Sequence, residues 1–329
     1  MNFFQLMSLA SGHVEARIVQ TAVELSIFDC LERLSRTAVD VAKTLKLEPQ
    51  AAELLLNALA ALALLDKQAD CFALTETARI YLLKSSPQYL GDMIRFESSL
   101  WDCWERLAQA VSTGQPVRPA DMYQNDGAET ETFINAMDSL VKARGDTEIL
   151  ARALDWRGVD DLLDVGSGPA TYPIALCQRY PKLRAKIFDL PATLEITERF
   201  VREAGMANRI ELIAGDYRRD TITGSYDAIF LSNIIHGENF AGNAKLIEKL
   251  AANLRPSGRL IIKDHILDQS RANPAVGAIF SLLMLLTTDG GRCYSFAEIN
   301  GWMERAGLSR VRQIELPPPL NSSLVIGKK

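Results

Sequence analysis

The sequence predicts an α/β protein, with a doubly wound, mostly parallel sheet preceded by an all-α winged-helix domain. Three observations support this fold class. Strand-like apolar runs alternate with helical patterns after residue 159, a compact helix–helix–hairpin pattern covers residues 37–74, and one strand ends in the glycine turn Asp164-Val-Gly-Ser-Gly168. The length of 329 residues suits two domains, which we place at residues 1–155 and 156–329.

The N-terminal domain is predicted to be mostly helical. Within it, a helix over Pro49–Leu65 leads directly into a short hairpin over 65–74, which is typical of a winged helix. Such a unit is either a structural or dimerisation module or a DNA reader. The segment 29–84 carries eight acidic and seven basic residues, so a phosphate-binding face is not expected. A further helix, Thr130–Ala153, leads to the second domain.

The composition excludes several classes of protein. Apolar residues make up 48% and charged residues 23%, as in ordinary globular proteins, and the net charge of −5 argues against a nucleic-acid surface. No apolar run approaches the roughly 20 residues that span a bilayer, and no charged region suggests a signal peptide. Five scattered cysteines indicate a reducing compartment, without disulfides or zinc. We expect a cytoplasmic protein with no metal, nucleic-acid or membrane partner.

The second domain alternates between strand and helix patterns, and this alternation predicts a parallel sheet that binds ligands at the carboxyl ends of its strands. The predicted strands are 160–165, 184–189, 209–214, 226–232 and 258–266; the predicted helices are near 170–180, 192–204, 240–254 and 297–306; two further apolar runs cover 309–316 and 322–327.

The turn after the first of these strands is the most informative local feature. A buried strand ends on Asp164, two glycines follow at Gly166 and Gly168, and a helical pattern starts at Pro169. A ligand at such a turn can touch backbone N–H groups that no side chain blocks. The next strand ends on Asp189, about 20 residues on, which is the spacing that places a carboxylate on a ribose.

The residues around this turn favour an adenosyl ligand with an amino-acid tail over a dinucleotide. Thr171 occupies the position where a dinucleotide fingerprint has its third glycine. Asp164 would repel a pyrophosphate but could hold an ammonium group. S-adenosylmethionine therefore fits better than NAD.

Further segments of the chain match one known family in order and spacing. The matching segments are Phe28–Leu31, Leu74–Ala78, Phe133–Met137, Asp164–Gly168, Phe188–Pro191, Gly215-Asp216, Tyr226–Leu231 with Ile235-His236, and Leu254–Arg259. Over nearly its whole length the chain resembles the S-adenosylmethionine-dependent O-methyltransferases of the plant caffeate and bacterial secondary-metabolite type. The resemblance implies a class I methyltransferase, Rossmann-like catalytic domain and a homodimer formed through the N-terminal domain.

The resemblance also implies which residues bind the cofactor. Gly166 and Gly168 would let the backbone approach the methionine tail, Asp189 would accept hydrogen bonds from both ribose hydroxyls, and Asp216 would accept one from the adenine amine. The alternatives are that Asp189 caps the helix beginning at Pro191 and that Asp216 is an ordinary turn residue. The remaining cofactor-binding candidates are Asp164, Leu190, Gly215, Tyr217, Ser232 and Asn233.

His236 is the candidate catalytic base, because it follows a buried strand at its carboxyl end. A neutral imidazole can accept the proton of a phenol as the new C–O bond forms, whereas the phenol alone has a pKa near 10. Relatives usually have His-Asp-Trp at this point, while this chain has His236-Gly-Glu. Asp264 matches the acid that orients the base, and we expect His265 to be a neighbour without a role.

The acceptor side departs from the family pattern. Cys293 stands where relatives have a second orienting glutamate, and we expect it to be a small pocket-lining residue, since one cysteine and one histidine do not make a zinc site. An apolar pocket for the acceptor would be lined by Trp101, Met137, Phe280, Leu283 and Met284, although such residues more often belong to a core.

We therefore expect a methyltransferase that acts on a hydroxyl oxygen of a small apolar metabolite of aromatic, polyketide-like or isoprenoid type. A C-methyltransferase, or a member of the same fold that binds the cofactor without transferring methyl groups, is the alternative within the fold. A ligand-sensing transcription factor that uses the winged helix on DNA is the alternative from another class.

Overall fold

The computed structural model describes every residue except Met122, that is, residues 1–121 and 123–329. These residues form two compact units. One unit comprises Met1–Trp101 and Asn135–Ala143, and the other comprises the rest of the described chain up to Lys329. None of the helices in these ranges combines the length and the apolar character that a membrane crossing requires.

The first unit is mostly helical. Its elements are α1 (Phe3–Glu24), α2 (Ile27–Cys30), β1 (Arg36–Thr37), α3 (Ala38–Leu45), α4 (Pro49–Ala61), β2 (Leu65–Gln68), β3 (Cys71–Leu74), α5 (Glu76–Tyr81) and α6 (Gly91–Ser99).

A winged-helix motif forms the centre of this unit. The three short strands pair antiparallel in the order β1–β3–β2, and Phe28, Leu56 and Phe72 are buried in the core that the helices share with them. The predicted helix Pro49–Leu65 ends at Ala61, because Ala63 takes a left-handed φ of 56° that breaks the helix before β2.

The second unit contains the large sheet. In chain order the elements are α7 (Trp101–Glu105), α8 (Leu107–Thr113), α9 (Gly127–Arg144), α10 (Asp146–Ala153), β4 (Asp161–Val165), α11 (Thr171–Arg179), β5 (Arg184–Asp189), α12 (Pro191–Glu203), β6 (Ile210–Ala214), β7 (Tyr226–Ser232), α13 (Phe240–Ala252), β8 (Leu254–Asp264), β9 (Ile266–Leu267), α14 (Ala275–Thr287), β10 (Tyr294–Ser295), α15 (Phe296–Arg305), β11 (Ser309–Glu315) and β12 (Ser323–Lys328). Trp101 and residues 135–143 of these helices belong to the first unit.

Seven strands pair in the order β11–β12–β8–β7–β4–β5–β6. Strands β4 to β8 run parallel, and β12 pairs antiparallel with both β8 and β11. The chain winds outward from β4 in one direction through β5 and β6, and in the other through β7 and β8. The order therefore reverses between β4 and β7, which is where such sheets bind their ligands. The predicted fold class is confirmed.

Three boundaries differ from the prediction for local reasons. The helix predicted over Thr130–Ala153 is two helices, since Gly145 takes a φ of +68°. The helix after the glycine turn begins at Thr171 and not at Pro169, because Ala170 has a φ of +63°. Strand β8 begins at Leu254, four residues before the predicted start, through an irregular pairing with β7.

Candidate active site

The predicted site residues follow the carboxyl ends of the parallel strands. Asp164 is the penultimate residue of β4, Asp189 ends β5, Asp216 comes two residues after β6, and Asp264 ends β8. His236 lies in a single 3₁₀ turn after β7. Because neighbouring parallel strands end at the same edge, the fold gathers these side chains at one edge of the sheet.

The glycine turn after β4 requires its glycines. Gly166 and Gly168 have φ angles of +69° and +59°, which residues with a Cβ rarely adopt. A Cβ at Gly166 would also lie 2.3 Å from Cδ1 of Ile234, so this position has no room for a side chain. Thr197 in α12 donates from Oγ1 to the Gly168 carbonyl at 2.6 Å. The turn is thus fixed from two sides, by Ile234 and by Thr197.

Asp189 connects the end of β5 to this turn. Its Oδ2 accepts a hydrogen bond from the Gly168 N–H and its Oδ1 one from the Leu190 N–H, both at 2.8 Å. It does not cap the amides in the first turn of α12, so the capping alternative does not describe its contacts. Burial raises the pKa of Asp189 to about 6, although both backbone donors lower it. The Gly168 N–H is committed to this carboxylate.

Asp164 carries a buried oxygen that lacks a partner. Its side chain is 1% exposed, and Oδ2 accepts from Ser167 Oγ at 3.0 Å. Oδ1 has no hydrogen-bond partner in the described part of the chain. Burial raises the pKa of this carboxyl to about 8. The hydrogen bond from Ser167 lowers the pKa, and the charge of Asp189 raises it by a smaller amount. A cation or a strong donor placed on Oδ1 would stabilise the ionised form.

Asp216 makes the contacts of a turn residue. Its Oδ1 accepts from the Arg218 N–H at 2.8 Å, and Oδ2 lies 3.7 Å from Nε of Arg219. The preceding Gly215 packs against an aromatic ring, because a Cβ there would lie 2.3 Å from Cζ of Phe188. The turn alternative therefore describes the contacts that Asp216 makes within the chain, and the carboxylate retains acceptor capacity for a ligand.

His236 and Asp264 form a close pair. Nδ1 of His236 lies 2.8 and 3.1 Å from the two carboxylate oxygens of Asp264, which is 1% exposed. Burial alone would raise the pKa of Asp264, but His236 and then His265 lower it below its usual value. An ionised carboxylate only accepts hydrogen bonds, so Nδ1 of His236 carries the proton. Nε2 is left as the basic nitrogen, and it has no partner among the described residues.

Cys293 is a buried thiol beside this pair. Its side chain is 1% exposed, and its backbone N–H donates to Ser281 Oγ at 3.1 Å. Burial, together with the charge of Asp264, raises the pKa of the thiol to about 12. The thiol is therefore neutral at physiological pH and cannot take over the charge of a glutamate. In the described ranges, no group of three His, Cys, Asp or Glu side chains is arranged to hold a metal ion.

The predicted pocket residues fall in both units. Leu283 and Met284 are buried in α14, and Phe280 on the same helix contacts His236 with ring centroids 4.8 Å apart. Trp101 and Met137 belong to the first unit, where Trp101 Nε1 donates to Gln20 Oε1 at 2.6 Å. For Trp101 and Met137 the pocket assignment stays a prediction.

Three further predicted cofactor residues lie at or just after the ends of β6 and β7. Ser232 Oγ is buried without a partner in the described chain, and Asn233 takes a left-handed φ of 57° while its N–H donates to the Lys263 carbonyl. Tyr217 is buried and donates its hydroxyl to Oε1 of Glu238 at 2.9 Å.

The sequence reasoning did not select Glu238, which links two of the turns at this edge. Its Oε1 accepts from Tyr217 and from Arg218 Nε, the latter at 2.5 Å, and its backbone carbonyl accepts from the Tyr294 hydroxyl. The only signal was an acidic residue two positions after His236, where relatives have tryptophan. The side chain of Glu238 is largely buried, so its charge needs a partner, and the partly exposed Arg218 supplies it.

Comparison with known proteins agrees with this fold. A model described as an O-methyltransferase domain matches residues 89–309, and one described as an O-methyltransferase dimerisation domain matches residues 7–84.

Two curated relatives and one solved structure match over nearly their full lengths. The 3-hydroxy-5-methyl-1-naphthoate 3-O-methyltransferase of Streptomyces sahachiroi is 30% identical, with 98% of this chain and 94% of that protein covered. The tetracenomycin polyketide synthesis 8-O-methyl transferase of Streptomyces glaucescens is 28% identical, with 98% and 96% covered. The structure of an O-methyltransferase family protein from Burkholderia thailandensis is 25% identical and superposes with a TM-score of 0.89, covering 100% and 98% of the two chains.

A doubly wound sheet with a glycine turn at its carboxyl edge defines the class of α/β proteins that bind nucleotides or nucleosides at this edge. Within that class, the chain belongs to the O-methyltransferase family. The predictions of an S-adenosylmethionine-dependent O-methyltransferase and of S-adenosylmethionine as its cofactor are confirmed by this membership.

Proposed function

We propose that this enzyme methylates a hydroxyl group on a flat aromatic or polyketide-like acceptor, with His236 as the general base. The observation that carries the proposal is the His236–Asp264 pair, in which Nε2 of His236 is free and the imidazole ring makes an edge contact with the ring of Phe280. The two relatives act, by their names, on a hydroxylated naphthoate and in tetracenomycin polyketide synthesis, and both acceptors suit an aromatic-lined pocket.

We further propose how the cofactor is held. The orphan Oδ1 of Asp164 would receive the ammonium group of the methionine tail, and Gly166 and Gly168 would allow that tail to approach the backbone. Asp189 would accept from the ribose hydroxyls, and Asp216 from the adenine amine. The unpartnered oxygen of Asp164 and the left-handed turn without side chains at Gly166 and Gly168 support this fit. Leu190, Gly215, Tyr217, Ser232 and Asn233 would complete the cofactor surface.

The residues of the chain act mainly by alignment and proton transfer. When bound, S-adenosylmethionine supplies an electrophilic methyl group, which the acceptor oxygen attacks in line with the departing thioether sulfur. Nε2 of His236 takes the hydroxyl proton as the C–O bond forms, and the imidazolium is stabilised by Asp264. Phe280, Leu283 and Met284 exclude water around the acceptor. Alignment of the two reactants contributes the larger part of the rate, and the base about 10²–10⁴-fold.

This function is tested by incubating the enzyme with methyl-labelled S-adenosylmethionine and a panel of hydroxylated naphthalenes, naphthoates and anthraquinones. We expect label on oxygen, identified by mass spectrometry of the product. Label on carbon with these acceptors would contradict the proposed chemistry, and cofactor binding without transfer to any of them would contradict the proposed acceptor class.

Cofactor binding is expected to release a proton at pH 7. Asp164, with a pKa near 8, is mostly protonated before binding and must ionise to hold an ammonium group. The affinity for the cofactor should therefore rise from pH 6 to about pH 8, by up to about tenfold per pH unit. The rise should end where the α-amino group of the cofactor itself loses its proton. Calorimetry of S-adenosylhomocysteine binding in two buffers of different ionisation enthalpy measures the release.

The matched variant for this measurement is Asp164→Asn, which keeps the size of the side chain and removes the titrating group. It should bind the ligand more weakly and release no proton. Equal proton release in this variant and the wild type would show that another group titrates.

We propose that residues 1–155 are the dimerisation domain, that residues 156–329 are the catalytic domain, and that the enzyme is a homodimer through the former. The match to a dimerisation domain over residues 7–84 supports this. So do the large apolar side chains that α1 exposes in the single chain, among them Phe4 at 80% and Leu9 at 70%. The five free thiols support a cytoplasmic location.

Charges at these exposed apolar positions of α1 should therefore prevent dimerisation. The double variant Phe4→Glu/Leu9→Glu is expected to elute with half the wild-type mass in chromatography coupled to light scattering. Glu15→Lys, a charge change at an exposed position on the same helix, is the control. A wild-type monomer, or a dimer unaffected by the double variant, would contradict the assignment.

A further inference from the structure

A second imidazole lies beside the candidate base. His265 follows Asp264 directly. The centroid of its ring lies 5.2 Å from the ring centroid of Phe280, and the ring centroid of His236 lies 4.8 Å from the same point. The backbone N–H of His265 donates to Oδ1 of Asp264 at 2.7 Å, so a single carboxylate contacts both histidines.

The protonation of the His265 ring is fixed by one hydrogen bond. Its Nδ1 lies 2.6 Å from the carbonyl oxygen of Asn321. A carbonyl oxygen can only accept, so Nδ1 must carry the proton. The lone pair of the neutral ring is then on Nε2, which is bonded to nothing in the described ranges of the chain.

His265 therefore resembles His236 in three respects: an anchored Nδ1–H, a free Nε2, and an edge or tilted contact with Phe280. Burial lowers its pKa, an effect that His236 and Lys263 reinforce and that Asp264 and the Asn321 carbonyl oppose, so the ring is neutral near pH 7. A neutral imidazole with a free Nε2 is an acceptor for a hydroxyl.

We propose that Nε2 of His265 binds a second hydroxyl group of the methyl acceptor, so that the enzyme prefers dihydroxylated planar rings over their monohydroxylated counterparts. This inference rests on the proposed function, since it assigns a specificity contact to the same site. An acceptor that spans Phe280 presents one hydroxyl to His236 for methylation and another to His265 for orientation. No proton leaves the second hydroxyl.

The test compares two substitutions of His265 that separate the role of Nδ1 from the role of Nε2. In His265→Asn the amide nitrogen reaches the position of Nδ1 and can still donate to Asn321, but nothing replaces Nε2. In His265→Gln the amide reaches the position of Nε2 and offers an oxygen acceptor there, while the contact to Asn321 is lost. The probes are 1-naphthol and 2-naphthol against the dihydroxynaphthalenes, with labelled S-adenosylmethionine, and thermal unfolding of each variant is followed in parallel.

We expect the kcat/KM of the wild type for at least one diol to exceed that for the naphthols by about tenfold, after correction for the statistical advantage of two hydroxyls. A tenfold ratio corresponds to the effect of about one hydrogen bond. His265→Asn should abolish that ratio, and His265→Gln should retain part of it. A purely structural histidine instead predicts the same ratio in the wild type and both variants, with thermal stability lowered in His265→Gln, which loses the contact to Asn321, and close to the wild type in His265→Asn.

Two negative outcomes are distinguishable. Equal wild-type kcat/KM values for naphthols and diols, or an unchanged ratio in His265→Asn, would overturn the role of His265 and leave the proposed function standing. Absence of transfer to every naphthol and diol would contradict the proposed acceptor class and this contact together.

Discussion

Replacing His236 with alanine is expected to lower kcat at least tenfold, and by as much as the 10²–10⁴-fold that general-base catalysis typically contributes, while cofactor affinity stays unchanged. The structure gives the reason. Nδ1 of His236 is held 2.8 Å from an ionised Asp264, which leaves Nε2 to take the hydroxyl proton. Cys293 beside the pair cannot replace it, because burial keeps its thiol neutral, with a pKa of about 12.

The measurement is single-turnover transfer of labelled methyl, so that product release does not obscure the chemical step. Asp264→Asn is the companion variant, because an amide in that place no longer fixes the tautomer of His236 and should lower kcat without weakening cofactor binding. A more acidic phenol should lose less than an ordinary one in His236→Ala, since it needs less help with its proton. Unchanged turnover of a true acceptor in His236→Ala would rule out the general base.

Replacing Asp189 with alanine should weaken the binding of S-adenosylhomocysteine by at least about a hundredfold. The carboxylate is proposed to accept from two ribose hydroxyls, and hydrogen bonds to a charged group contribute about 1.5–3 kcal/mol each. Alanine also removes the acceptors of the Gly168 and Leu190 N–H groups, which are 2.8 Å from the carboxylate oxygens. The turn that receives the cofactor tail is then held less firmly.

Two controls separate the ribose contact from the turn. Asp189→Asn retains one side-chain oxygen for a backbone donor, so it should keep thermal stability closer to the wild type while affinity still falls. Asp216→Ala removes a carboxylate that is already engaged by its own turn and should cost about tenfold or less. Calorimetry that gives equal affinity for Asp189→Ala and the wild type would remove the proposed ribose role.

The parallel sheet could be predicted because its strands are apolar runs that end on acidic residues. Strands β5 and β7 have the predicted bounds, since both faces of the sheet are covered and most residues of the two runs are buried and apolar. Helix boundaries were less predictable. The breaks at Gly145 and Ala170 depend on single left-handed residues, and Ala170 in particular carries no local sequence signal for that conformation.

Site residues could be predicted from the sequence only where a single polar side chain directly follows a buried strand. Lys263 shows the limit: it is 1% exposed and lies 3.4 Å from the fully buried Asp146. Its partner precedes it by more than a hundred positions, so no local pattern reveals the pair, and burial lowers the pKa of the lysine. Glu238 with Arg218, and the orientation of His265, depend in the same way on contacts between distant segments.

The position of β12 has a consequence for biogenesis. This strand lies between β8 and β11 and pairs with β8 along its whole length, from Ser323 opposite Asp264 to Lys328 opposite Arg259. A ribosome delivers it only after α14, β10, α15 and β11 have emerged. Until then the apolar β8, which carries Asp264, is an unprotected sheet edge, and a nascent chain at that stage is open to pairing with another chain. Chaperone dependence during expression should therefore be greatest for chains arrested between β8 and β12.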